Sequence, residues 1–204
     1  EAVRALVGVH DHGVPVIVAV MVHVGAPDDG ERVVDRFRAL ATPLADMVKV
    51  IRYPEIYEAG GPQPPAMAVR SFFLDEVDED AGATILERLQ TSTAVMATAQ
   101  FRFLGGAVAR VPADATAFAH RNRASQFCRI ATPDRGVMVN VASIYEDPAA
   151  AAEQEAWVTS FADELRGDDR GAYVNFMGNE GQDRIRQAYT DATWQRLRSI
   201  KRRY

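Results

Sequence analysis

Val14–Val24 (VPVIVAVMVHV) is the longest apolar run of the chain, and reading it as strand or as helix decides the fold. A helix that crosses a bilayer needs about 20 apolar residues, roughly twice what this run offers. Its composition is largely β-branched, which suits a pleated surface better than a helix. A strand is therefore expected, with Pro15 at its mouth, where a missing backbone donor is tolerated. Val3–Val9 is a second apolar segment of the same kind, and Val16–Val24 answers it across His10–Pro15. The core of that connection, Asp11-His12-Gly13, is turn-forming, with glycine supplying the permissive backbone. The two segments make an expected hairpin.

The period then changes. Glu31–Leu44 sets Val33, Val34, Phe37, Leu40 and Leu44 near helical spacing, which predicts an amphipathic helix. Met47–Arg52 is expected to be a short strand, and the Pro- and Gly-rich Gly60–Pro65 an exposed loop. Met67–Leu74 restores strand character. Asp78–Met96 carries Ala81, Ile85, Leu89 and Val95 on one helical face, with acidic residues at its start, where the helix dipole favours them. Ala97–Arg110 alternates weakly and Val111–Asp114 turns the chain. Thr116–Arg121, Gln126–Ala131 and Gly136–Ile144 are expected strands. Asp147 and Pro148 open a helix over Ala149–Leu165, Gly167 and Gly171 loosen the chain, and a last helix is expected from about Glu180 to the end. Adjacent short strands with turn signals and interspersed helices define the class as α+β, an antiparallel β-sheet with helices packed mainly on one face.

With 204 residues and 48% hydrophobic content, the chain can bury a sizeable core. A net charge of −5 argues against a general nucleic-acid binder, because attraction to phosphate needs a basic face. The charge is uneven: Arg184, Arg186, Arg196, Arg198, Lys201, Arg202 and Arg203 face only Asp191 over the last stretch, as a solvated helix face or a docking face. Cys128 is the single cysteine, so an intrachain disulfide is excluded, and a small buried hydrophobe is expected there. The chain opens inside a strand-like segment and stops in basic helical sequence without a Gly or Pro stop signal, as expected of part of a longer polypeptide.

Common catalytic motifs are missing: no GxSxG elbow, P-loop, HExxH helix or CxxC pair occurs. His10 and His12 share a strand face but lack a third ligand, so no metal centre is expected. His23 and His120 lie in apolar segments and read as structural histidines. Gly105-Gly106 reads as a bulge or turn.

Five blocks carry a more specific signal when taken in order: Ala39–Tyr57 (ALATPLADMVKVIRYPEIY), Phe103–Val111 (FLGGAVARV), Thr116–Arg121 (TAFAHR), Tyr173–Phe176 (YVNF) and Arg184–Tyr204 (RIRQAYTDATWQRLRSIKRRY). Together they resemble the C-terminal half of the berberine-bridge-enzyme-like flavoprotein oxidases, of the vanillyl-alcohol-oxidase type. In that family an N-terminal domain holds FAD and a second α+β domain covers the isoalloxazine ring. The resemblance implies that residues 1–204 form one substrate-covering domain, in sections 1–110, 111–171 and 172–204. It implies FAD in the parent protein but not bound tightly by this chain, whose sequence lacks the glycine-rich pyrophosphate loop and the flavin-attaching histidine motif. The implied partners are the N-terminal FAD-binding domain and a small-molecule substrate with an oxidisable hydroxyl (an alcohol, sugar or secondary metabolite). A homodimer is left open, and neither nucleic acid nor membrane is expected.

Carried onto this sequence, the resemblance makes Tyr173 the candidate catalytic base and Asn175 a candidate cofactor-binding residue. In a strand the two would point to one face. Some relatives have Tyr at the fourth position of this motif, where this chain has Phe176. A free phenol titrates near ~10, so a base working near neutrality needs about three units of tuning, or ~4 kcal/mol. A neighbouring cation or donors to the phenolate must supply it. Gln100 and Arg102, on one face of the strand before the glycine pair, are the candidate substrate-lining residues. A non-enzymatic α+β binding or dimerisation module explains the periodicities equally well, but not the ordered blocks.

Overall fold

Ala97, Ala99 and Phe101 stand two residues apart, as do Val137, Val139 and Val141, and that spacing puts each set on one side of its strand. In the computed structural model, which describes residues 2–9, 14–52, 55, 66–104, 107–121, 136–167, 171–178 and 180–204, five strands form one sheet in the order β2-β1-β4-β5-β3. These are β1 (Ala2–Val9), β2 (Pro15–Val22), β3 (Ala66–Leu74), β4 (Met96–Leu104) and β5 (Gly136–Tyr145). All neighbours are antiparallel. The expected hairpin is there, with Val9 opposite Pro15, although its turn lies outside the described residues.

One face of the sheet carries the core. Ala68 and Phe72 of β3, Phe101 of β4 and Val139 of β5 meet Ile85 and Leu89 of α2 (Glu79–Gln90) and Val158 and Phe161 of α4 (Ala151–Arg166). Helices α2 and α4 thus lie on the same side, as the class reading expects. Burying each of the larger of these side chains contributes roughly 1.5–3 kcal/mol. β5 lies between two strands and is buried almost throughout, which is why it reads as a continuous apolar run rather than an alternating one. A polar bridge crosses this core: the Ser143 hydroxyl donates to Gln154 Oε1, and Gln154 Nε2 donates to Thr93 Oγ1 at 3.1 Å.

Several boundaries differ from the sequence expectation. Helix α1 runs over Pro27–Arg38, not 31–44, because Pro27 opens it with Asp28 and Asp29 in its first turn. Beyond it, residues 45–52 form no strand. Asp46 folds this arm back instead, accepting the Val48 amide at 3.0 Å and the Arg38 guanidinium at 2.6 Å. Those two donors, the Val48 amide first, hold the Asp46 carboxyl below its usual range. Leu44, Met47 and Val50 of the arm are exposed. Helix α2 ends at Gln90, well before Val95, and β4 starts at Met96.

Thr116–Arg121 is not a strand either. Its Thr116 hydroxyl accepts the Phe118 amide at 3.3 Å, a local turn that competes with sheet pairing. Short helix α3 spans Ala107–Arg110. The single last helix is two, α5 (Gly181–Gln187) and α6 (Asp191–Lys201), because Thr190 starts a new cap by accepting the Thr193 amide. Most of the basic residues of α6 are solvated, as expected of a charged helix face. Gly60–Pro65, Gly105-Gly106, Gln126–Ala131 and Cys128 lie outside the described residues. Among the described residues no helix is long and apolar enough to cross a membrane, and no cluster of three metal-ligating side chains is present.

Candidate functional site

Opposite the helices, the register of three strands builds a polar row. Gln100 of β4 pairs with Asn140 of β5, and Asn140 pairs with Ser71 of β3, so these side chains share one face. Ser71 and Asn140 are buried. At the end of the row, the Tyr173 amide approaches Ser71 Oγ at 3.5 Å. One step along, Arg102 pairs with Met138 and Met138 with Phe73. Arg102 donates to Gln100 Oε1 at 3.0 Å, and its guanidinium lies 4.1 Å from the centre of the Phe176 ring.

Tyr173–Phe176 does not form a strand. Val174–Phe176 is a single 3-10 turn, closed by the Phe176 amide donating to Tyr173 O at 2.9 Å. Tyr173 and Asn175 nevertheless meet, for a different reason from strand alternation. The tight turn brings the Asn175 amide Nδ2 to 2.8 Å from the Tyr173 hydroxyl. Tyr173 is half-buried between two rings, Phe118 at 5.1 Å edge-on and Phe176 at 5.5 Å. Arg121 stacks on Phe118 at 5.3 Å, so the phenol sits in an aromatic run with a guanidinium at each end.

His120, expected within a strand, lies instead in the loop after Thr116, and it is buried. Its Nε2 bonds Ala172 O at 2.8 Å and its ring lies 4.4 Å from Phe73. It is the structural histidine the sequence suggested, and it fixes the residue next to Tyr173. His23 is exposed, just beyond the end of β2. All four candidates, Gln100, Arg102, Tyr173 and Asn175, thus fall in one cluster. The sequence reading passed over Ser71, Asn140 and Phe118. The first two are polar residues inside otherwise apolar strands, a signal that was legible, whereas the turn that aims Phe118 at Tyr173 was not.

A phenol hydroxyl, two carboxamides and a guanidinium lie beside aromatic rings, a set able to hydrogen-bond a small polar molecule.

The fold is similar to that of part of several solved oxidases, berberine bridge enzyme among them. Among solved structures, a glycopeptide hexose oxidase complexed with teicoplanin matches with a TM-score of 0.68 and 18% identity, over 98% of this chain and 43% of that one. 6-Hydroxy-D-nicotine oxidase from Arthrobacter nicotinovorans matches at 0.67 and 17%, over 100% of this chain and 44% of that one. Berberine bridge enzyme from Eschscholzia californica matches at 0.61 and 16%, over 96% of this chain and 44% of that one. The chain therefore spans less than half the length of these enzymes. No protein-family model matches the sequence, and no curated protein does either.

Proposed function

We propose that this chain is the substrate-binding portion of an FAD-dependent oxidoreductase that oxidises a hydroxyl-bearing small molecule. The observation that carries the reading is the meeting of Gln100, Arg102, Tyr173 and Asn175 on the sheet face opposite α2 and α4. In the parent protein the flavin, held by a separate FAD-binding domain, supplies the hydride acceptor. The residues of this chain do the rest. Tyr173, in its phenolate form, takes the proton from the substrate hydroxyl and becomes the neutral phenol. Asn175 Nδ2, at 2.8 Å, donates to the phenol oxygen and stabilises negative charge developing there. Gln100 and Arg102 hold the substrate's polar groups and keep it oriented. Phe118 and Phe176 fix the phenol ring in place.

The apolar surface of β2 and of the arm after α1 supports a covering partner. Ile17, Leu44 and Val50 are 70%, 91% and 82% exposed, and exposed apolar side chains in such number are what a covering surface would bury. The FAD-binding domain is the partner this reading assigns to them. The test is flavin content and turnover of the protein that carries this chain, expressed at full length with candidate alcohols and sugars. The expected result is a yellow protein whose Tyr173→Phe variant keeps its flavin and loses turnover. A flavin-containing protein in which Tyr173→Phe turns over normally removes Tyr173 as the base.

A further inference from the structure

The Tyr173 segment has no ladder of its own. Residues 171–178 run along β3, an edge strand, and join it through Ser71. A methyl placed on Gly178 would lie 3.5 Å from the Val69 side chain and from Val69 O, so the segment runs in van der Waals contact with that edge. Internally its backbone is closed by one turn, Phe176 N to Tyr173 O at 2.9 Å, and a weaker contact, Met177 N to Val174 O at 3.4 Å. Ring contacts from Phe118 and Arg102 meet its middle, and polar bonds hold its two ends. At the N-terminal end His120 holds Ala172 O at 2.8 Å.

At the C-terminal end stands a buried ionic cluster. The Glu180 side chain is only 4% exposed, and its Oε2 accepts Arg184 Nε at 3.0 Å and faces Arg70 Nε at 3.9 Å. Arg184 reaches past it to donate Nη2 to Ser71 O at 2.9 Å and Nη1 to Gln187 Oε1 at 2.8 Å. Arg70 turns its other end to Glu155 of α4 at 2.9 Å. One guanidinium thus grips the backbone of the residue whose hydroxyl receives the Tyr173 amide. Removing one partner from a buried pair leaves the other charge uncompensated, so the cluster behaves as a latch rather than as surface decoration.

We propose that Glu180, acting through Arg184 and Ser71, is a positioning residue for the Tyr173 phenol. The inference rests on the reading of Tyr173 as the proton acceptor, but the latch itself does not. Glu180→Gln keeps the shape and removes the charge that orients Arg184. Arg184→Lys keeps a charge but loses the fork that bonds Glu180, Gln187 and Ser71 O at once. In either variant the segment loses its fixed end and the phenol swings away from the substrate hydroxyl. Misplacement of about 1 Å in a reacting group lowers turnover roughly 10–100-fold.

The experiment has two arms, both on the full-length protein. The first is amide hydrogen exchange of peptides covering 171–178, in wild type, Glu180→Gln and Arg184→Lys. Exchange in those peptides is expected to rise roughly 10-fold or more while β4 and β5 keep their protection. Unchanged exchange in both variants overturns the latch, whatever the protein catalyses. The second arm is a double-mutant cycle on turnover per bound flavin, pairing Glu180→Gln with Tyr173→Phe. If Glu180 acts through the phenol, the double variant is no slower than Tyr173→Phe alone. Additive losses, or faster exchange with normal turnover, overturn the positioning role. If Tyr173→Phe alone leaves turnover normal, it is the base assignment that has failed, and the exchange arm still decides the latch. Should Glu180→Gln not fold, Arg184→Lys carries both arms.

Discussion

Tyr173→Phe separates chemistry from folding because the structure makes the folding cost small. Phenylalanine keeps the ring, and with it the contacts to Phe118 at 5.1 Å and Phe176 at 5.5 Å. What goes is one hydroxyl and one hydrogen bond, from Asn175 Nδ2 at 2.8 Å. Asn175 is exposed, so water replaces the lost acceptor and no buried donor is stranded. The net effect on stability is about 0–1 kcal/mol. Loss of a positioned general base lowers the rate about 10²–10⁴-fold, which at 1.36 kcal/mol per factor of ten is roughly 3–5 kcal/mol on the barrier. The two numbers differ enough to be told apart in one preparation. Chemical denaturation of wild type and variant should give midpoints that nearly coincide, while turnover per bound flavin falls by at least two orders of magnitude. A large shift in midpoint with proportionate loss of activity would mean that the hydroxyl is a structural bond, and the assignment of its role would be wrong.

Other consequences are more local. Asn175→Asp replaces the donor at the phenol with a carboxylate and should lower turnover roughly 10-fold or more without loss of flavin, as measured by steady-state kinetics. Leu89→Ala, at a site 1% exposed between α2 and the sheet, should cost about 2–5 kcal/mol in denaturant unfolding. Asp78→Ala removes the cap that accepts the Ala81 amide at 2.8 Å and should cost about 1 kcal/mol in the same assay. The Asp46 carboxyl is held below its usual range, so its contribution is present above the unfolded carboxylate pKa and is lost as pH falls through the folded value. The Val48 amide resonance should accordingly titrate below the usual aspartate range, and in Asp46→Asn that titration should vanish.

How much of this was legible depends on which force decides each element. Strands β3, β4 and β5 were readable because burial on one or both faces forces an apolar pattern, and no competing local bond disturbs it. The arm after α1 was misread. Leu40, Leu44 and Met47 have helical or strand spacing, yet what shapes the arm is a set of polar bonds from Arg38 and Asp46 that leaves those side chains in solvent. The same competition hid the Thr116 turn and the break before α6, where a threonine hydroxyl replaced a backbone partner. Among the candidate site residues, Gln100 and Arg102 share a strand face as parity expects. Tyr173 and Asn175, candidates through the resemblance, are joined by a 3-10 turn, not by alternation. Of the Glu180 cluster only the i,i+4 pair with Arg184 has a local pattern, and its links to Arg70 of β3 and Glu155 of α4 join residues far apart in sequence.

The most direct test of the central claim is the visible absorption spectrum of the purified full-length protein, taken before and after addition of an oxidisable hydroxyl substrate without oxygen. The account predicts flavin bands that bleach on substrate addition in wild type, and bleach at least about 100-fold more slowly in Tyr173→Phe. A folded full-length protein without flavin bands would contradict it.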